Sequence, residues 1–287
     1  MSPATLGLVL AAAVFHAAWN LAAKASRGDA TVFVWLYNCL GSLISLPLGV
    51  ILMIGSDASY GWELLIACLI TAVLHVSYAM LLQTGYRKAE LGVVYPVARG
   101  VGPMLTIVVA VVLLGERPEP VALVGGLVIL GGILVVTGHR LFQRSAGLAT
   151  GLYYGAATGT AIAAYTLWDN FAVSTLGIEP VLYFGLSGAA QSVLMLPWAL
   201  RRRAQIGSTW QVDRKPAVTI AVLSPLAYIL VLYAMTTTSV ALVAAARESS
   251  IIIGALLAWW FFGEQDPVRR VIGAVVVACG IGLIALS

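Results

Sequence analysis

Apolar residues are grouped along the chain into ten runs of about 20 positions, separated by short polar loops. A helix of roughly 20 residues rises about 30 Å, the thickness of the hydrocarbon layer of a membrane. The longest polar stretches, 57–61 and 201–215, leave no room for a soluble domain. The pattern therefore predicts an all-α integral membrane protein with ten transmembrane helices, at residues 4–23, 31–54, 62–83, 91–114, 119–138, 147–168, 178–200, 216–236, 239–262 and 268–286.

Composition supports this class of protein. Of the 287 residues, 61% are hydrophobic and 10% are charged, whereas a soluble domain carries roughly 25% charged residues to wet its surface. The first apolar run has Lys24 and Arg27 after it and no cation before it, the reverse of a secretory signal peptide, so we expect a retained span. The cysteines lie inside apolar runs without metal-site or disulfide spacing, and we expect no metal and no cofactor.

One stretch of the sequence occurs twice. A shift of 148 positions superimposes residues 91–136 on residues 239–284 without a gap. Each copy carries an arginine inside an apolar run, a Gly-Glu turn and a glycine-rich helix. The duplication predicts two five-helix repeats, at 1–138 and 147–287. The matched residues are Arg99 with Arg247, Gly115-Glu116 with Gly263-Glu264, Gly125 with Gly273, and Gly132 with Gly280.

The positive charges fall on one set of loops. Loops after spans 1, 3, 5, 7 and 9 (the odd loops) hold thirteen Lys and Arg residues, and loops after the other spans (the even loops) hold only Arg117. The positive-inside rule then places the odd loops in the cytoplasm and both termini outside, in a multi-pass inner-membrane protein. Because five spans per half is an odd number, a direct sequence repeat enters the membrane in opposite orientations. Such inverted-topology repeats are typical of secondary transporters with a central cavity.

Two five-span halves, each ending in a Gly-Glu turn and a glycine-rich helix, resemble the drug/metabolite transporter superfamily, EamA type. The opening HAAWN at His16–Asn20 also resembles first spans of that family. The resemblance covers nearly the whole chain, and among subgroups the chain is similar to the YddG-like amino-acid exporters. It implies a central cavity lined by the first four helices of each half, with the fifth helix of each half at the periphery.

Polar and aromatic residues inside the spans are the candidate solute ligands, because lipid disfavours them and they turn toward the protein interior or a water-filled cavity. Helical spacing brings several of them to common faces. Trp19 and Trp168 could instead belong to the aromatic belt at the membrane surface. His16 could instead form a hydrogen bond between packed helices. The candidates are His16, Trp19, Asn20, His75, Tyr78, Tyr95, Arg99, Tyr165, Trp168, Tyr228 and Arg247.

The two buried-looking arginines allow two interpretations. Either they form an internal ion pair, with Glu248 or Asp169 as the carboxylate, or they face the cavity and meet a carboxylate of the solute. Three prolines, Pro96, Pro103 and Pro225, interrupt the hydrogen-bond ladders of their helices and are predicted hinges. The glutamates of the Gly-Glu turns are expected to cap the next helix or to bind neighbouring backbone N–H groups.

The predicted function is secondary transport of a small organic solute, outward or facilitated, by alternating access. An aromatic cavity with a few polar groups suits amino acids, aromatic ones included. Organic-cation, multidrug and nucleotide-sugar carriers of the same superfamily are alternatives. An intramembrane enzyme is another, although the chain has no HExxH, GxSxG or GxxxxGK[ST] motif.

The expected partners are the solute and the lipid bilayer, and not nucleic acid, because the net charge of +4 comes from loop arginines that fix topology. Smaller members of the superfamily couple transport to protons through a glutamate in the first span. The first span here has no carboxylate, so proton antiport through His16 or His75 and facilitated movement both remain open. A functional monomer is expected, because both repeats are in one chain.

Overall fold

The computed structural model describes residues 1–56, 59–89, 91–137, 147–253 and 267–286. These residues form helices and connecting loops, with no β-strand among them. A π-helical turn, Phe171–Thr175, continues α6, and residues 249–253 are helical after a turn at Glu248. The helices are α1 Pro3–Lys24, α2 Ala30–Ile54, α3 Trp62–Lys88, α4 Leu91–Val112, α5 Pro120–Thr137, α6 Leu148–Asn170, α7 Pro180–Arg201, α8 Ile206–Met235, α9 Val240–Arg247 and α10 Pro267–Ala285.

The all-helical membrane architecture is confirmed, while the number of spans and their inverted orientation stay predictions. Six helical segments of the described chain have the length and apolarity to cross a membrane on those criteria alone. They are Pro3–Ala23, Ala30–Ile54, Trp62–Lys88, Val93–Val112, Pro180–Arg201 and Arg203–Met235.

Several helices begin at a capping residue that the sequence supplies. The Ser2 hydroxyl accepts a hydrogen bond from the backbone N–H of Thr5 at the start of α1, and Asp29 caps α2 in the same way. Glu179 accepts from the N–H of Leu182 at the start of α7. Each cap satisfies one of the N–H groups that the first helical turn leaves without a partner.

The largest boundary difference is at α8, which begins ten residues before the predicted span. Its polar first turns pack on the loop between α1 and α2. Asp213 accepts hydrogen bonds from the Ser26 hydroxyl at 2.7 Å and from the backbone N–H groups of Arg27 and Gly28, at 2.9 and 2.8 Å. The predicted 201–215 loop is therefore mostly helix, because a neighbouring loop and not the lipid stabilises it.

The most extensive helix contacts join one half of the chain to the other. Helix α1 packs on α8 and α3 on α6, while α2 packs on α7, α4 on α6 and α9, and α5 on α10. At the α2–α7 crossing a Cβ on Gly185 would lie 2.6 Å from the Cα of Leu46, and one on Gly49 would lie 2.5 Å from the Cα of Leu182. Only glycine allows the two backbones to approach this closely.

The glutamate of the first Gly-Glu turn binds backbone N–H groups, the second of its two expected roles, and these groups belong to a helix of the other half. Gly115 has a φ of 69°, and Glu116 follows it. Glu116 does not cap α5: its Oε1 accepts from the backbone N–H of Val240 at 3.0 Å, and its Oε2 accepts from the Ser239 hydroxyl at 2.5 Å. A carboxylate is favourable at this helix N-terminus, so the first half of the chain caps α9 of the second half. The second turn, Gly263-Glu264, lies outside the described residues.

Helix α4 is continuous through positions 96 and 103, and α8 is continuous through Pro216 and Pro225. The prolines therefore cause no gap in either helix. The hinge role of Pro96, Pro103 and Pro225 stays a prediction.

Candidate solute-binding cavity

A cavity of about 590 Å³ lies between the two halves of the chain. Helices α1 to α4 of the first half and α6 to α9 of the second half line it, and no described residue of α5 or α10 does. Its volume falls within the roughly 300–1,000 Å³ that is usual for small-molecule sites.

The cavity opens at one end of the molecule and is closed at the other. Ser26, Gly28 and Ala30, in and beside the loop between α1 and α2, line its open end, and Ala30 is exposed. Thr71 and Asp169 line the opposite end, where both are fully buried. The cavity therefore opens toward the odd loops, which the charge pattern predicts to be cytoplasmic.

The structure brings ten of the eleven predicted ligands to this cavity. Trp168 is the exception, because its indole Nε1 donates to the backbone carbonyl of Ala67 at 3.0 Å, and its ring packs beside Phe171 on another flank of α6. Of the predicted hinges, Pro225 lines the cavity. The ten residues are His16, Trp19, Asn20, His75, Tyr78, Tyr95, Arg99, Tyr165, Tyr228 and Arg247.

Aromatic rings form one wall of the cavity. The imidazole of His75 stacks on Tyr165 with ring centroids 4.1 Å apart, and Tyr78 meets Tyr165 edge to face at 5.6 Å. Tyr228 approaches His75 edge to face at 5.7 Å, and Phe184 lies 6.2 Å from Tyr228. Such faces bind a planar or apolar solute group without fixing its identity.

Two arginines share one buried carboxylate beside this wall. The Nε of Arg99 lies 3.0 Å from Oε2 of Glu248, and the Nε of Arg247 lies 3.6 Å from Oε1. Neither contact is aligned as a hydrogen bond, so the attraction is mainly electrostatic. The ion pair with Glu248, one of the two interpretations of the sequence, is therefore present and is closest for Arg99.

Arg247 retains free hydrogen-bonding capacity in this arrangement. Its Nε and Nη2 donate no hydrogen bond to any residue that the structure describes, although the side chain is only 5% exposed. Donors of this kind can bind an anion, because the planar fork of a guanidinium matches a carboxylate.

Asp169 forms the closed end of the cavity and was not among the predicted ligands. Its Oδ1 accepts from the Thr71 hydroxyl at 2.5 Å and from the Tyr183 hydroxyl at 2.6 Å, and its Oδ2 accepts from the Tyr228 hydroxyl. One carboxylate thus joins α6 to α3, α7 and α8. A shift of 149 positions pairs it with the predicted ligand Asn20, and that pairing was the signal in the sequence.

Further contacts hold the closed end together. The Tyr60 hydroxyl accepts from the backbone N–H of Glu179 at 3.0 Å, and the Tyr233 hydroxyl donates to the Glu179 carboxylate at 2.5 Å. Cys68 is 3% exposed, and its Sγ lies 3.9 Å from the carbonyl of Tyr183. The even-loop end is therefore a packed barrier that contains a thiol.

Comparison with protein families identifies the architecture. The model of the EamA-like transporter family matches twice, at residues 4–138 and at residues 149–286. The chain belongs to the EamA-like transporter family. This is a family of membrane transporters of small solutes, and the cavity lies between the two matched regions.

Two individual likenesses accompany the family match. A stretch of 61 residues of this EamA-like transporter is 39% identical to a multidrug transporter of Pseudomonas aeruginosa, and it covers 21% of this chain and 53% of that protein. The match thus spans about half of that relative's length. A solved crystal structure superposes with a TM-score of 0.78 over 100% of this chain and 98% of its own, at 17% identity. That identity shows a shared fold alone.

Proposed function

We propose that this EamA-like transporter moves amino acids, aromatic ones included, across the inner membrane by alternating access. The observation that carries the proposal is Arg247, a buried guanidinium with unused donors in the wall of an aromatic cavity. Every amino acid has a carboxylate that can occupy those donors. The rings of His75, Tyr165 and Tyr228 then accept side chains of different shape.

The packing of the helices supports alternating access. Helices α1, α8 and α9 contact one another, helices α3, α4 and α6 contact one another, and the contact of α4 with α9 joins the two groups. If each repeat, 1–138 or 147–287, adopts the conformation that the other repeat now has, the two groups of helices swap their arrangements. If the repeats are inverted, the same exchange turns a cavity open to the odd loops into one open to the even loops. The proposed topology has both termini outside, and the proposed functional unit is a monomer because one chain lines the whole cavity.

Replacing Arg247 by glutamine tests the substrate class. The change removes the guanidinium with unused donors and leaves the closer Arg99–Glu248 pair in place, so the fold should persist. A charged hydrogen bond contributes about 1.5–3 kcal/mol, so we expect phenylalanine uptake by proteoliposomes to need a roughly ten- to hundredfold higher concentration. Uptake with and without a pH gradient separates proton antiport from facilitated movement.

The matched control is Arg202→Gln, which removes a cation at the rim. Arg202 is 41% exposed and pairs with Asp29 at 3.4 Å, so its loss should change uptake little. Equal uptake by the wild-type protein and the Arg247→Gln variant would contradict the proposed role of this arginine. No uptake of any amino acid by the wild-type protein would end the amino-acid proposal.

Cys68 reports on the second half of the transport cycle. In a variant with Cys39 and Cys279 replaced by alanine, Cys68 is the single thiol, and the packed even-loop end covers it. We expect a membrane-impermeant maleimide added outside intact cells to label it slowly, and several-fold faster when phenylalanine is present, because turnover opens that end. An equal labelling rate with and without phenylalanine would contradict alternating access in this orientation.

An organic-cation exporter is the second candidate. The aromatic wall and the carboxylate of Asp169 suit a cation that lacks a carboxylate, and the Pseudomonas relative is a multidrug transporter by name. A lipophilic monocation that competes with phenylalanine, and whose uptake survives Arg247→Gln, would favour this candidate.

A further inference from the structure

Asp169 is a carboxylate for which the structure shows only hydroxyl partners. It is fully buried, and among the described residues no Lys, Arg or His forms an ion pair with it. Hydroxyl donors from Thr71, Tyr183 and Tyr228 occupy part of its capacity. A carboxylate accepts about four hydrogen bonds, and the described residues supply three, two on Oδ1 and one on Oδ2, so one position on Oδ2 is unused.

The charges around the cavity leave one excess cation and one excess anion. Arg99 and Glu248 form the closest pair, at 3.0 Å. This leaves Arg247 positive and Asp169 negative. Arg247 and Asp169 line the same cavity.

We propose that Asp169 binds the ammonium group of the transported solute. This inference rests on the proposed amino-acid transport and extends it, because Arg247 then takes the carboxylate and Asp169 the amine of one zwitterion. Tyr228 donates to this carboxylate, and Phe184 lies 6.2 Å from the Tyr228 ring; the faces of these two rings also attract an ammonium. The site discriminates by charge at both ends of the solute and by shape in between.

Ammonium binding at Asp169 also acts on the closed end of the cavity. The bond from Tyr228 to Asp169 joins α8 of one helix group to α6 of the other. An ammonium at the unused position of Oδ2 shares that oxygen with the Tyr228 hydroxyl, and each of two donors on one oxygen weakens the bond of the other. Solute binding thereby weakens a contact that holds the even-loop end shut, and it couples occupancy to opening without a further ligand.

Three related solutes separate the two ends of the site. Phenylalanine has both charges, 3-phenylpropionate lacks the ammonium, and phenethylamine lacks the carboxylate. Binding of each is measured with the full-length purified wild-type protein and with Asp169→Asn, Arg247→Gln and Tyr228→Phe. We expect Asp169→Asn to weaken the binding of phenylalanine and of phenethylamine roughly ten- to hundredfold and to leave the binding of 3-phenylpropionate unchanged.

The Tyr228→Phe variant tests the site by a gain of affinity, which misfolding cannot produce. This variant removes the hydroxyl that competes for Asp169, so we expect phenylalanine to bind several-fold more tightly, and a damaged protein does not gain affinity in this way. If Asp169→Asn weakens the binding of all three solutes equally, or of none, the proposed ammonium site is contradicted while the proposal of amino-acid transport stands. If the wild-type protein binds none of the three, the proposed function itself fails.

Discussion

The Glu248→Gln variant should be less stable than the wild-type protein by about 3–5 kcal/mol, the usual effect of removing one partner from a buried ion pair. Glu248 is fully buried and is the carboxylate shared by Arg99 and Arg247. The amide cannot offset two guanidinium charges away from water. The expected result is a large fall in the midpoint of thermal or denaturant unfolding in detergent, with little monodisperse protein recovered.

Glu63→Gln is the matched control, since Glu63 is an exposed glutamate in the first turn of α3. It should unfold like the wild-type protein. Adding Arg99→Gln to Glu248→Gln should recover part of the lost stability, because one of the two orphaned cations is then gone. Equal unfolding midpoints for Glu248→Gln and Glu63→Gln would show that the arginines have another counter-charge.

The Gly185→Leu variant should fail to assemble. Its Cβ would lie 2.6 Å from the Cα of Leu46, a backbone atom that cannot rotate away. Overpacking a close contact costs about 1–3 kcal/mol and more where backbone must move. Helices α2 and α7 belong to different halves, so separating them disturbs the cavity as well. We expect loss of the monodisperse peak on size-exclusion chromatography and of solute uptake.

Gly131→Leu makes the same chemical change in α5, at a position with open space around it. Leucine also has a better helix propensity than glycine. This variant should therefore be as stable as the wild-type protein or slightly more so. If both variants assemble equally well, the α2–α7 crossing is looser than the structure indicates.

The sequence predicted the helices well where lipid determines them. A bilayer requires about 20 apolar residues per span, so the ends of α1 and α2 lie within a residue of their predicted positions. The start of α8 was missed because its first turns are polar and are held by the loop between α1 and α2. No periodicity of apolar residues marks such a segment.

For the cavity, too, the sequence predicted what the lipid determines and missed what tertiary contacts determine. Polar residues inside spans had to face the interior, and ten predicted ligands do line one cavity. Trp168 was misplaced because its N–H found a backbone carbonyl on α3, a partner that depends on tertiary packing. Asp169 was considered only as an ion-pair partner of the arginines and not as a solute ligand, because its hydroxyl partners come from three other helices and depend on tertiary packing. Helix α6 continues past the predicted end of the sixth span, through Asn170.

The contacts between halves also constrain how the protein is made. α8 emerges from the ribosome about 180 residues after α1, its main packing partner, a delay of roughly 10 to 40 s at 5–20 residues per second. During that time the polar face of α1, with His16 and Asn20, has no partner from the second half. The insertion machinery or the lipid headgroups must therefore accommodate these polar side chains in the meantime. Slowing translation should lengthen this interval and increase degradation of the nascent chain by quality-control proteases.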